Sequence, residues 1–210
     1  ILNAGLSITG TTIDNGGIVL RGDSVSAAKA TSVTLGKTPS GSGTLILSAY
    51  GVASGTQIKD GGTEIVSSGG TSWDTTVNNG GVQNIESSGL ASATTISGGT
   101  QNVNNGGLAS ATMISSGTQN VNNGGVATDT VISGLFAAQN IANGGSGLAT
   151  SITLGGEQNI SGGGYGSVAT IDYGFQNISS GGTGSAGTIG AGLTGDSTGL
   201  QVLNGVQVIS

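Results

Sequence analysis

Seven residues, Gln101-Asn102-Val103-Asn104-Asn105-Gly106-Gly107, recur as Gln119-Asn120-Val121-Asn122-Asn123-Gly124-Gly125, 18 residues further on. A unit restated at that period constrains the fold more than any single side chain, because short repeats stack only as solenoids, propellers or arrays. With the glutamine as position 0, units begin at Gln83, Gln101, Gln119, Gln139, Gln158 and Gln176, at intervals of 18, 18, 20, 19 and 18. Glu64 and Leu45 fill the same slot at two earlier intervals of 19. The array therefore covers about residues 45–190, with degenerate ends.

Two columns of the repeat are almost purely aliphatic. Position +2 holds Leu47, Val66, Ile85, Val103, Val121, Ile141, Ile160 and Ile178, and position +13 holds Ile58, Val77, Ile96, Ile114, Ile132, Ile152, Ile171 and Ile189. These residues are mainly β-branched, which suits strands. A softer column at +7 and +8, exemplified by Leu90-Ala91, Leu108-Ala109 and Val126-Ala127, provides small residues that let the walls of a narrow core approach. Paired glycines such as Gly106-Gly107 and Gly124-Gly125 mark one corner, where positive φ is needed. A weaker Ser-Gly corner follows near +14 to +16. No stretch has a capped 3.6-residue period, and only residues 24–30 could form a helical turn. The expected fold is all-β: a parallel β-helix, or solenoid, of about 18–20 residues per coil, with two or three strands per coil left open. Eight coils rising by the inter-strand spacing would span on the order of 40 Å.

Glycine is 44 of 210 residues, about three times its usual share. That content would suit disorder, but apolar residues locked to fixed repeat positions do not. Cys and His are both absent, so neither disulfides nor the commonest metal ligand is available, and no metal or cofactor is expected. The four basic residues, Arg21, Lys29, Lys37 and Lys59, all precede residue 60, and residues 60–210 carry eight acidic groups and no base. Nucleic acid is excluded as a partner, since phosphate binding needs clustered Lys and Arg. No apolar run reaches the roughly 18 residues of a membrane-spanning helix.

Residues 1–44, with a loop over 37–41, are expected to be N-terminal capping or irregular coils, and 45–210 the regular array, together one continuous solenoid domain. The last segment keeps strand character without a charged or proline-bearing cap, so the natural chain is expected to continue past Ser210.

Units such as residues 97–114 resemble the repeats of AIDA-type self-associating autotransporter adhesins, the AIDA and TibA group. The resemblance covers about residues 45–190 and is weaker over 1–44. It implies a right-handed β-helical passenger on the surface of a Gram-negative bacterium, extracellular, with a translocator barrel further along the chain. It also implies cell aggregation, biofilm formation and adhesion to host cells. The partners would be copies of itself on neighbouring cells and a host-cell receptor or glycan. Some members are O-heptosylated on repeat serines by a dedicated heptosyltransferase. On that resemblance the candidate acceptors are the corner serines Ser67, Ser68, Ser87, Ser88, Ser97, Ser115, Ser116, Ser133, Ser179 and Ser180, which plain turn chemistry explains equally.

The Asn column at +1, Asn84, Asn102, Asn120, Asn140, Asn159 and Asn177, is the candidate stacking ladder. Its amides can hydrogen-bond from coil to coil, or form an exposed stripe that pairs with another molecule. Many β-helices cleave polysaccharides, but that chemistry needs carboxylates roughly 5–9.5 Å apart. Asp74 and Asp129 share position +10 three coils apart, about 14 Å, Glu64 and Glu86 lie in neighbouring coils three positions out of register, and Glu157 and Asp172 are corner residues of one coil with no carboxylate neighbours in their columns. A calcium β-roll needs an Asp after each Gly-Gly-x-Gly, and none follows 144–147 or 181–184. Of the few aromatics, Trp73 reads as packing over a coil edge or as a sugar platform, and Phe136 falls in the 20-residue unit, where a bulge is expected. The expected function is a non-enzymatic adhesin. A structural stalk presenting another domain is the alternative, and a polysaccharide-degrading enzyme the less favoured one.

Overall fold

The computed structural model describes residues 1–36, 41–189, 199–203 and 206–209. They form one 26-stranded assembly in which every strand pairing is parallel, and no helix occurs among them. The strands stack as a β-solenoid of about 9 turns of about 19 residues. Residues 24–30 run through a bend into the strand Lys29–Thr31 rather than a helical turn. Most of the loop expected over 37–41 lies outside the described residues.

Each coil has three strands. In the coil that starts at Gln83 they are Val82–Ile85, Leu90–Ser92 and the first part of Thr95–Val103. Each lies on its counterpart one coil away: Ile85 opposite Val103, Ala91 opposite Ala109, Ile96 opposite Ile114. The N-terminal strands join the same three stacks, with Ser7 opposite Lys29, Thr12 opposite Thr34 and Leu20 opposite Leu47.

The inward side chains follow the strand period of two. The +2 column from Leu47 to Ile178 and the +13 column from Ile58 to Ile171 are buried. Burying each such side chain contributes about 2 kcal/mol before entropy is counted. At the second strand only +8 points inward. Ala53, Ala91, Ala109 and Ala127 are fully buried, whereas Leu108 at +7 is exposed on the outer wall. The small column is thus one residue wide, because adjacent strand residues face opposite sides.

The corners differ in mechanism. At the first, Asn105 and Gly106 both have positive φ, 38° and 82°, and Gly107 N–H donates to Asn104 O at 2.7 Å. That is the sign pattern of a type I′ turn. The two glycines have separate roles. Gly106 supplies the left-handed conformation, and Gly107 supplies room, since a Cβ there would collide with the Ile85 carbonyl of the adjacent coil. The corner between the second and third strands carries no glycine signature. Asp74, Ala93, Ala111, Asp129 and Ala149 occupy it with φ between 52° and 56°, conformations that non-glycine residues adopt at a cost of roughly 1–2 kcal/mol.

Candidate functional site

Three sets of residues distinguish this solenoid from a featureless stack: a polar ladder inside the core, polar columns outside it, and one apolar edge.

The inner ladder is made by the glutamines. Position 0 has the same parity as +2, so these side chains point inward, and Gln83, Gln101, Gln119, Gln139, Gln158 and Gln176 are all fully buried. Each Nε2 donates to Oε1 of the preceding coil: Gln101 to Gln83 at 2.7 Å, Gln119 to Gln101 at 2.6 Å, Gln139 to Gln119 at 2.6 Å, Gln158 to Gln139 at 2.7 Å and Gln176 to Gln158 at 2.8 Å. Threonine hydroxyls from +11 brace it, Thr94, Thr112, Thr130 and Thr150 donating to the Oε1 atoms of Gln83, Gln101, Gln119 and Gln139 at 3.2–3.3 Å. Buried amides are tolerated because both their donors and their acceptors find partners. A glutamine at every unit start, in phase with the aliphatic +2, is the sequence signal for this ladder.

Glu64 ends it. Its Oε2 accepts from Gln83 Nε2 at 2.7 Å, Ser72 Oγ at 2.9 Å and Thr75 Oγ1 at 3.2 Å. The next slot is Leu45, which offers no acceptor, so an amide there would strand its N–H groups; a carboxyl does not. Burial pushes the Glu64 pKa up, and hydrogen bonds from Gln83, Ser72 and Thr75 oppose that rise. Glu64 Oε1 and Thr56 Oγ1 are both buried without a hydrogen-bond partner.

Outside, Asn102 Nδ2 donates to Asn84 Oδ1 at 2.9 Å, Asn120 to Asn102 at 2.9 Å, Asn140 to Asn120 at 3.1 Å, Asn159 to Asn140 at 3.1 Å and Asn177 to Asn159 at 2.8 Å. The column is half-buried. A second, looser row runs from Asn122 through Asn104 to Glu86 at 3.4–3.5 Å.

The corner serines divide. Ser68, Ser87, Ser88, Ser97, Ser115, Ser179 and Ser180 are exposed, while Ser67, Ser116 and Ser133 are half-buried. Ser115 Oγ donates to Ile96 O at 3.2 Å and Ser179 Oγ to Ile160 O at 3.3 Å. The two aspartates of the +10 column, Asp74 and Asp129, are both exposed corner residues. No group of three His, Cys, Asp or Glu among the described residues stands close enough to hold a metal ion.

The extra residues of the 20-residue unit form a turn between Val131–Ser133 and Ala137–Ile141, with Ala137 N–H donating to Gly134 O at 3.0 Å. Its tip is Leu135-Phe136, 78% and 84% exposed. Leu154 and Tyr173 occupy the same corner in the next two coils at positive φ, and Phe175 follows, also exposed. The equivalent corners at 97–99 and 115–117 are only Ser and Gly.

A crystal structure of a TibA55-350 fragment, hyper-glycosylated in a TibC-catalysed reaction, matches the chain with a TM-score of 0.59 and 29% sequence identity, over 100% of this chain and 90% of that one. The solenoid is similar to that of this TibA autotransporter adhesin passenger fragment. No family model matches the sequence, and no curated protein matches it. The likeness runs the whole length, residues 1–44 included. Among the described residues of this TibA-like solenoid no helix is long and apolar enough to cross a membrane.

Proposed function

We propose that the chain is the extracellular passenger of an autotransporter adhesin that associates with copies of itself on neighbouring Gram-negative cells and attaches to host cells, promoting aggregation and biofilm. The observation that carries this reading is the likeness to the TibA fragment over the full length of the chain at 29% identity. The surface chemistry agrees with it. Long outer columns of amides and hydroxyls repeat at each coil, and charge is 7% of residues, so neighbouring surfaces repel one another little. The same reading makes the chain a non-enzyme: the carboxylates on the surface are scattered, and Glu64 is sealed inside the core.

The TibA fragment is hyper-glycosylated. By that parallel, exposed corner serines such as Ser87, Ser88 and Ser180 accept O-linked heptose from a heptosyltransferase. Intact mass of the chain from its native host tests this: a mass at the sequence value overturns it. Settling of cells that display the chain tests self-association. Alanine at Asn102, Asn120 and Asn140, or at the corner serines, should slow settling. If neither outer column matters, the solenoid is a stalk that holds another domain, a reading favoured by the regularity of residues 100–125.

A further inference from the structure

Leu135, Phe136, Leu154, Tyr173 and Phe175 form an exposed apolar edge along three successive coils. The same corner in the two coils before this edge, at 97–99 and 115–117, needs only Ser and Gly, and left-handed φ at Leu154 (50°) and Tyr173 (58°) is unfavourable for large side chains. Phe136 and Leu154 are 84% and 65% exposed, so neither fills the core. Three of the chain's six aromatic residues stand on this one edge. Such a concentration of exposed apolar side chains on a polar protein marks a binding surface.

The register fixes the layout. Gly117 N–H donates to Phe136 O and Gly155 N–H to Tyr173 O, and Glu157 pairs with Phe175. Phe136 and Tyr173 thus lie two coils apart, about 10 Å along the axis. Gly155 stands between them, with Leu135 Cδ2 where a Gly155 side chain would be. Glu157 is exposed in the middle coil and Asp172 half-buried beside Tyr173. No Lys or Arg occurs after Lys59.

We propose that this edge binds a neutral, extended oligosaccharide lying along the solenoid axis. The inference rests on the adhesin reading and names its ligand. The negative faces of the rings meet the polarised C–H face of a pyranose. The coil rise, about 4.8 Å, is close to the length of one sugar unit in an extended chain, so Phe136 and the Tyr173–Phe175 pair contact alternate units. The Glu157 carboxylate accepts hydroxyl hydrogens of the unit between them. The same carboxylates, uncompensated by any cation, disfavour sialylated or sulfated chains. A protein partner needs about 800 Å² per side, and an edge one corner wide and three coils long does not provide it.

The test is titration of the 210-residue chain, with aromatic NMR signals as readout, against hexasaccharides of β-linked glucose, N-acetylglucosamine and galactose, each beside its sulfated form. At least one neutral hexasaccharide should move the Phe136 and Tyr173 ring signals saturably, with the sulfated form weaker. Phe136→Ser should weaken binding about tenfold, Phe136→Trp should restore it, and Tyr50→Ser, at an exposed corner several coils away, should leave it unchanged. Circular dichroism checks that the variants fold. No neutral sugar bound, stronger binding of sulfated chains, or binding indifferent to Phe136→Ser overturns the proposal. So does an edge that binds no sugar but makes the chain dimerise, read by sedimentation. Self-association is scored separately by settling, so either reading can fail while the other stands.

Discussion

Glu64 is a carboxyl in the middle of a hydrophobic solenoid, and its pKa is raised by burial. The folded state therefore holds its proton more tightly than the unfolded chain does. Its contribution to stability is complete below the ordinary glutamate range, near pH 4, and is lost as pH rises through the raised folded value. Glu64→Gln removes this dependence. The denaturant midpoint of the wild type should fall relative to Glu64→Gln as pH increases from about 4, and other carboxylates cancel because both proteins carry them. Glu64→Leu is different: it leaves Gln83 Nε2 and the Ser72 and Thr75 hydroxyls without their acceptor, a loss of about 3 kcal/mol at any pH. At the left-handed corner, Ala111→Gly should leave the midpoint unchanged or raise it, relief of strain offsetting glycine's extra unfolded-state freedom. Ala111→Val should lower stability by about 2 kcal/mol, since a β-branched residue is poorly accommodated at φ 53°.

The elements are strands of two to nine residues, too short to be stable except against their neighbours. In the last coils their packing is fitted closely. Gly147 stands against Ile141, where a Cβ would meet Ile141 Cδ1, and Gly166 and Gly184 stand likewise against Ile160 and Ile178. In the coils with Val103 and Val121, the small column is Ala109 and Ala127. Gly147→Ala should cost about 1–3 kcal/mol by overpacking and Ile141→Val about 1 kcal/mol. Together they should cost less than their sum, with a coupling of about 1 kcal/mol in a double-mutant cycle read from denaturant midpoints. This is also where legibility in the sequence divides. The +2 and +13 columns are readable because aliphatic residues recur in phase, and the Asn104–Gly107 corner because glycine marks it. The third strand is hidden because Ala93, Ala111 and Ala149 turn the chain in a conformation that sequence rules reserve for Gly or Asn. The glutamine ladder is hidden because a polar residue reads as exposed until its phase with +2 is considered. The apolar edge is visible only in part: Phe136 is evident in the long unit, but its alignment with Tyr173 depends on a register that the 20-, 19- and 18-residue spacings conceal.

On the scale of the whole molecule, each coil touches chiefly the coils beside it, so stability approximates a sum over coils and their junctions. Removing residues 101–118 joins Thr100 to Gln119 and restores the register, because Gln101 already lies opposite Gln119. That deletion should fold with an unchanged circular dichroism spectrum per residue and a modestly lower midpoint. Removing 101–109 alone should abolish cooperative unfolding, because the inward and outward faces no longer match. The amides of the core carry a further implication. They all donate toward the same end of the solenoid and terminate on one carboxyl, so the stack behaves as an arrow rather than a rod. A coil transplanted in reverse order of stacking would meet acceptor with acceptor. Length can therefore be gained or lost only in whole units inserted in the same sense, and the end nearer Glu64 is chemically closed to further glutamine rungs.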